Sequence, residues 1–530
     1  MTPDVIIIGG GLAGITAAIE LLDRNLRVIL LDRNGEDRFG GLAIWALGGL
    51  FYVDSPFHRK AGIRDSPELA LSDWLSASEF DDDDIWPRRW AEHYVSNCTQ
   101  EVYEWLKPKG VKYVPSVQWV ERGLFRPGNS VPRFHLVWGS GRGLVNHLTN
   151  HLAQHPNRKN LTVMFRSDVT EILTRNGRVN GVRGKNLDND QPFEIEASHV
   201  IAAAGGITGD VNVVKQHWYK PWGAPPEKML SGSHLVANGD IHRHAQKVGA
   251  HITHLDRQWN YAAGVHHPDA DHPDHGLSII PPKSALWLNY RGERMGPVPL
   301  VGGYDSRYLI ERICQEPKKY SWQILNMKIA RKELAVSGSM YNDALTQQNK
   351  WAFVKNILFG SQTLVDTMLS RCKDFVVANS VEELAGKMNA LTGEKDIHPE
   401  ILRKTIETYD AAINRGEKYF NDEQLRRIAH LRQYTGERLR TCHFQKIMDE
   451  KALPLIAIRE FILARKTIGG IKTDLQCRVL TPDDQVVEGL YAIGESAGFG
   501  GGGIHGLRAL EGTFLGNCIF NGRMVVRGMF

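Results

Sequence analysis

Gly9, Gly11 and Gly14 stand in G-x-G-x-x-G spacing directly after the apolar run at residues 5–8, and Asp32 closes a second apolar run eighteen residues after Gly14. These residue types at this spacing bind a dinucleotide. The glycines let the backbone turn tightly and approach a pyrophosphate, and the helix that follows offers free N–H groups and a positive dipole end to the phosphates. A carboxylate at the Asp32 position accepts from ribose hydroxyls. Three elements must hold this set in place. Residues 4–8 predict a fully buried strand, residues 12–22 a helix that opens on Leu12 and Ala13, and residues 27–31 a second strand, together a β-α-β unit.

The rest of the chain suits an enzyme of more than one domain. Its 530 residues exceed one ordinary domain, and 42% hydrophobic with 23% charged residues excludes disordered, coiled-coil and fibrous chains. Net charge is only +4 and no basic stripe occurs, so no nucleic-acid partner is expected. No run of eighteen apolar residues predicts a membrane span. Residues 5–19 are nearly free of polar side chains, but Asp4 precedes them and glycine sits at their centre, so they read as strand, turn and helix and not as a signal peptide. Six cysteines without a C-x-x-C pair exclude a zinc ribbon, a c-type haem site and a dithiol centre, and point to a reducing, cytoplasmic setting. The aspartates at 81–84 read as a solvated face or a helix start and the proline-containing histidine-rich stretch 266–275 as a loop, and no metal is assigned.

Glycine, 52 of 530 residues, is the compositional outlier, and it clusters. Gly40-Gly41 and Gly48-Gly49 bracket a small-residue run that contains Trp45 and Ala46; residues 200–204 form an apolar strand ending in Gly205-Gly206; residues 489–493 lead into Gly494-Glu495 and a loop through Gly503, His505 and Gly506. In these ordered motifs the chain resembles the FAD-binding subunit family of fumarate reductases, succinate dehydrogenases and 3-ketosteroid dehydrogenases, over nearly its whole length. The resemblance implies an α/β fold, a discontinuous Rossmann-like FAD-binding domain with an inserted α+β cap that carries substrate. It divides the chain into 1–257, 258–455 and 456–530 (FAD domain, cap, FAD domain). The implied cofactor contacts are Gly9, Gly11, Leu12, Ala13, Gly14, Asp32, Arg33, Gly40, Gly41, Ala46, Gly48, Gly49, Val169, Ala204, Gly205, Gly494, Glu495, Gly503, Gly512 and Thr513. Members with covalent flavin carry a histidine where this chain has Leu42, so FAD is expected to be non-covalent.

The resemblance also implies chemistry: hydride exchange with the flavin at a CH–CH or C=C bond beside a carbonyl, with a protein group moving the second proton. Where fumarate reductases place a catalytic arginine this chain has Tyr304-Asp305, and the steroid dehydrogenases use a tyrosine there as base. A phenol of pKa about 10 needs a hydrogen-bonded partner or nearby positive charge to serve. Lys466 precedes the Thr467-Ile468-Gly469-Gly470 motif where fumarate reductases have a substrate histidine, and could polarise a carbonyl. Arg508 follows His505 by three residues instead of the four that clamp a dicarboxylate, a rotation of about 100° on a helix. Ile456 stands where the steroid enzymes hold the 3-keto oxygen, leaving Lys466 or Tyr261 to substitute. Trp45, Trp259, Tyr261, Trp287 and His505 are the candidate substrate-lining residues.

The expectation is therefore an FAD-dependent oxidoreductase acting on a hydrophobic, steroid-like molecule, with Tyr304, Lys466 and Arg508 as its working side chains and an external electron donor or acceptor. An ene-reductase of an unsaturated carboxylate and an electron-relay flavoprotein are the alternatives. Homo-oligomerisation is left open.

Overall fold

The computed structural model describes residues 2–530, which divide into two compact units. The first comprises residues 1–219, 233–259 and 465–530, and the second residues 220–232 and 260–464.

The first unit is built on a six-stranded sheet in the order Arg478–Leu480, Val486–Ala492, His199–Ala202, Val5–Ile8, Val28–Leu31, Leu161–Met164. All neighbours run parallel except the first pair. The strands Val5–Ile8 and Val28–Leu31 are continuous apolar runs because both their faces are covered, as a parallel sheet requires. The helix Leu12–Asp23 lies against the C-terminal helix Thr513–Met529. Gly522 permits that approach, since a Cβ there would lie 2.7 Å from the Ala13 carbonyl oxygen. A three-stranded antiparallel sheet, Ser167–Arg175, Arg178–Asn186 and Pro192–Glu196, adds Ile172, Val179 and Val182 to the core around Ile6 and Val200. Its first hairpin turns at Asn176-Gly177, both with positive φ, as a type I′ turn demands.

The strand order puts Val5–Ile8 between its two parallel neighbours, so the turns after Ile8 and after Ala202 emerge side by side. In open α/β sheets this switch in strand order is where a ligand crevice forms.

The second unit contains an eight-stranded sheet ordered Leu286–Leu288, Tyr320–Asn326, Leu455–Thr467, Gln258–His266, Gly276–Ile280, Ala335–Val336, with Leu230–Ser231 and Phe375–Ala378 also paired to Leu455–Thr467. Helices including Pro399–Asn414, Glu423–Gln433 and Thr435–Arg440 complete it. Two segments depart from the sequence-based division. Lys220–Gly232 belongs to the second unit because Leu230 and Ser231 pair with Leu463 and Ala464. The return to the first unit comes at Arg465 instead of 456, because residues 455–461 pair one by one with Tyr320–Asn326. Ile456 is a buried core residue of that strand, paired with both Leu325 and Val377.

Candidate active site

In the first unit the fingerprint glycines have distinct surroundings. A Cβ on Gly9 (φ 110°) would lie 2.4 Å from the Ala203 carbonyl oxygen, and one on Gly14 would lie 2.1 Å from the Gly9 oxygen. Gly11, in contrast, has nothing within 4 Å of its Cβ direction, so it borders open space. The backbone N–H groups of Gly10 and Asn34 donate to the two carboxylate oxygens of Asp32, each at 2.7 Å. Burial raises the Asp32 carboxyl above the usual range, and those two donors oppose the rise. The second glycine doublet is stitched to the first motif: Gly40 N donates to Gly10 O at 2.8 Å, and Gly11 and Gly40 form an isolated parallel bridge. Ala46 O accepts from Gly141 N, and Gly48 O from Val137 N. Trp45 is buried with its ring 3.9 Å from that of His234. Gly49 packs on the Phe134 ring.

The far end of the crevice gathers residues distant in sequence. Ser496 Oγ donates to Gly205 O at 2.9 Å, and Thr467 N to Glu495 Oε1 at 2.8 Å. Burial pushes the Glu495 carboxyl up to about 7. Gly494 N donates to Asn521 Oδ1 on the C-terminal helix. Gly512 O accepts from Phe51 N, fixing the start of that helix at Thr513. Thr513 Oγ1 donates its one proton to Leu510 O at 2.6 Å, so His505 Nε2, 2.8 Å from the same hydroxyl, must be the donor in that pair. His505 Nδ1 is therefore a bare acceptor, buried and without a partner among the described residues. Burial, with Lys466 adding to it, holds His505 down to about 3, so the ring is neutral.

The Lys466 amine lies 3.9 Å from the centre of the Phe514 ring. Its enclosure lowers it to about 8, and Glu511 is the strongest opposing influence. Glu511 accepts from Trp259 Nε1 at 2.8 Å. Sequence reasoning passed over Glu511; its signal is a carboxylate placed directly before Gly512, where a helix begins. The fold thus brings Lys466, Glu511, Trp259, Phe514 and His505 to one corner.

Two expected residues have other engagements. Arg508 forms an ion pair with Glu79, which also pairs with Arg126, and burial lowers its guanidinium to about 10. Its charge thus has an internal counterion. Arg33 turns its guanidinium to Asp168 and Asp240, next to Val169.

Tyr304, Tyr261 and Trp287 belong to the second unit. Tyr304 is 7% exposed, packed with Val301 and Leu431; its hydroxyl lies 3.0 Å from His430 Nδ1 and donates to Arg427 O at 3.1 Å. The Arg427 guanidinium carbon stands 5.5 Å from the Tyr304 ring centre. His430 and Arg427 were not singled out from the sequence, and no spacing rule links them to residue 304. Tyr261 packs on Leu230, Phe461 and Leu463. Trp287 donates to Ser321 Oγ at 2.8 Å and is 2% exposed, which makes it a core residue.

The aspartate run leads into the helix Ile85–Cys98, and side chains of both this run and the histidine-rich loop are tied into the structure. Asp84 bonds His254 Nε2 at 2.6 Å, and Arg257 pairs with both Asp81 and Asp84. The histidine-rich loop stacks His267 on His275, while its Asp269 and Asp274 pair with Arg371 and Lys228.

The crevice fits an FAD: open space at Gly11, a buried ribose-type acid at Asp32, and an unsatisfied acceptor at His505. A family profile described as "FAD binding domain" matches residues 4–515. A KsdD-like steroid dehydrogenase of Mycobacterium tuberculosis is 43% identical over 554 aligned residues, covering 100% of this chain and 96% of that protein. Among solved structures, 3-ketosteroid delta1-dehydrogenase from Sterolibacterium denitrificans, in complex with 1,4-androstadiene-3,17-dione, matches with a TM-score of 0.71 at 16% identity over 99% of both chains. The open conformation of a flavocytochrome c3 fumarate reductase matches with a TM-score of 0.69 at 18% identity over 99% of this chain and 78% of that one. The chain therefore belongs to the FAD-binding dehydrogenase family that includes the KsdD-like steroid dehydrogenases, and it is an FAD-dependent oxidoreductase.

Proposed function

We propose that this protein dehydrogenates, or in reverse reduces, a CH–CH bond beside a carbonyl in a steroid-like ketone. The observation that carries the reading is the setting of Tyr304, a phenol with both a side-chain partner and a nearby cation. FAD, when bound, supplies the two-electron chemistry. Tyr304 moves the proton on the carbon next to the carbonyl. His430 Nδ1 exchanges a proton with the Tyr304 hydroxyl, and the Arg427 charge favours the phenolate while that exchange occurs. Lys466 polarises the substrate carbonyl as an ammonium, oriented by Glu511. The steroid class is taken from the M. tuberculosis relative, whose alignment spans all of this chain.

The internal ion pair of Arg508 speaks against a dicarboxylate substrate, which needs a free guanidinium clamp. Leu42 at the position of the covalent histidine supports a non-covalent flavin that acid precipitation releases intact. Six free cysteines support a reducing, cytoplasmic setting, in which an external carrier exchanges electrons with the enzyme.

The test is an anaerobic titration of the yellow holoenzyme with a 3-ketosteroid, following flavin absorbance. Bleaching is expected. A flavin that stays oxidised with the ketone, yet is reoxidised after dithionite by an unsaturated acid, would move the assignment to a carboxylate reductase.

A further inference from the structure

The helix Lys350–Phe359 in the second unit is apolar at seven of its ten positions, yet none of its residues is buried. Trp351 is 87% exposed and Phe359 76%, with Val354 and Leu358 nearly half exposed. An ordinary surface helix turns its apolar stripe to the core. This one is apolar nearly all round, with Ala352, Phe353 and Ile357 half-buried and Trp351, Val354, Leu358 and Phe359 facing outward, and it is firmly built. Asn349 caps its start by accepting from Ala352 N. Lys332 Nζ donates to Ile357 O and Leu358 O at its end, each at 2.9 Å. Ser361 N donates to Arg331 O at 2.8 Å. The helix packs on Met327–Glu333, Asp343–Thr346 and Thr435–Arg440, so its outward face is a fixed feature of the surface.

The charges carried by the helix itself are all positive. No acidic residue occurs between Asp343 and Asp366, whereas Lys350 and Lys355 lie on the helix itself. Lys328, Arg331, Lys350 and Lys355 are exposed and form no ion pair among the described residues. Of the acids on the neighbouring helices, Glu333 accepts from Ser284 and from Cys442 N and Glu437 pairs with Lys283, while Asp343 is exposed.

We propose that this helix docks the protein on an anionic lipid surface, with Trp351, Val354, Leu358 and Phe359 entering the acyl boundary and Lys328, Arg331, Lys350 and Lys355 meeting the headgroups. Exposed aromatic and aliphatic side chains flanked by lysine are what an interfacial helix presents. Each cation near an anionic leaflet adds attraction that salt screens. Projecting side chains need no complementary pocket in lipid. A second copy of the chain would bring the same cations face to face. No helix among the described residues is long and apolar enough to cross a membrane, so the protein would lie on the surface and not span it. This surface is independent of the substrate. Vesicle binding without steroid turnover would leave this surface standing and overturn the proposed reaction.

The experiment is co-sedimentation of the holoenzyme, at low salt, with vesicles of equimolar phosphatidylcholine and phosphatidylglycerol and with vesicles of phosphatidylcholine alone. The wild type is expected to pellet with the anionic vesicles and only weakly with the neutral ones. Trp351→Ser combined with Phe359→Ser should lower binding about tenfold or more. Lys350→Glu with Lys355→Glu should remove the preference for phosphatidylglycerol, with flavin content and turnover unchanged in both variants. Wild-type protein that stays in the supernatant with all vesicles overturns the proposal, as does binding that neither variant alters. A concentration-dependent dimer on size exclusion, lost in the Trp351→Ser/Phe359→Ser variant, would overturn it in favour of self-association.

Discussion

In the first unit the cofactor cradle is made largely of backbone: Gly10 N on Asp32, Gly40 N on Gly10 O, Thr467 N on Glu495, and Gly9 and Gly14 where a Cβ would strike main-chain atoms. In the second unit the Tyr304 corner is made of side chains, a phenol, an imidazole and a guanidinium drawn together from residues 304, 427 and 430. The first kind of site tolerates little change at its glycines, because a main-chain atom cannot move aside for a methyl group. The second tolerates substitution structurally and should register it in chemistry alone.

The largest expected effect comes from attacking the cradle. Gly14→Val drives a side chain into the Gly9 carbonyl, and should empty the protein of flavin and cost about 3 kcal/mol or more of stability. The ratio of flavin to protein absorbance and a urea midpoint measure both. A variant that retained a full complement of FAD would break the distinction between the two regions. Tyr304→Phe is the counterpart in the second unit. It should keep flavin and fold while lowering turnover by about 10²–10⁴-fold. A smaller loss, or loss of flavin, would show that Tyr304 is only a packing residue.

The same difference explains what could be read from the sequence. A backbone cradle leaves a periodic trace, because glycine must occur where the chain turns or approaches closely, and Gly9, Gly14, Gly40 and Gly48 fall in order along the chain. The β-α-β unit was legible for the same reason. The side-chain corner leaves no such trace. Tyr304 could be named only through a family resemblance, and His430, more than a hundred residues on, not at all. The unit boundary at Arg465 was hidden because it falls inside the strand Leu455–Thr467, where no glycine or proline marks it. The Glu79 counterion of Arg508 left no trace in the sequence, because it comes from a distant helix end.

His430→Ala sharpens the comparison within the second unit. If the imidazole exchanges a proton with Tyr304, turnover should fall about tenfold, less than in Tyr304→Phe, and free imidazole in the buffer should restore part of it. Unaltered turnover, or a loss that imidazole leaves untouched, would reduce His430 to a structural neighbour.

The smallest expected effect tests whether the first unit also holds a side-chain site. Lys466 loses its proton near pH 8, because its enclosure disfavours the charge while Glu511 favours it. If the ammonium polarises the substrate carbonyl, kcat/KM falls as pH rises through about 8, and Lys466→Met lacks that limb. Glu511→Gln removes the opposing influence, so Lys466 should deprotonate at lower pH and the limb should move down. Stability has its own sign. Between about 8 and the ordinary value of 10.5 the unfolded lysine binds a proton that the folded one does not, so this group makes stability rise with pH across that window. Lys466→Met should flatten that rise. An activity limb that stays in place in Glu511→Gln, with the stability rise intact in Lys466→Met, would leave the chemistry of the first unit to its backbone and its flavin.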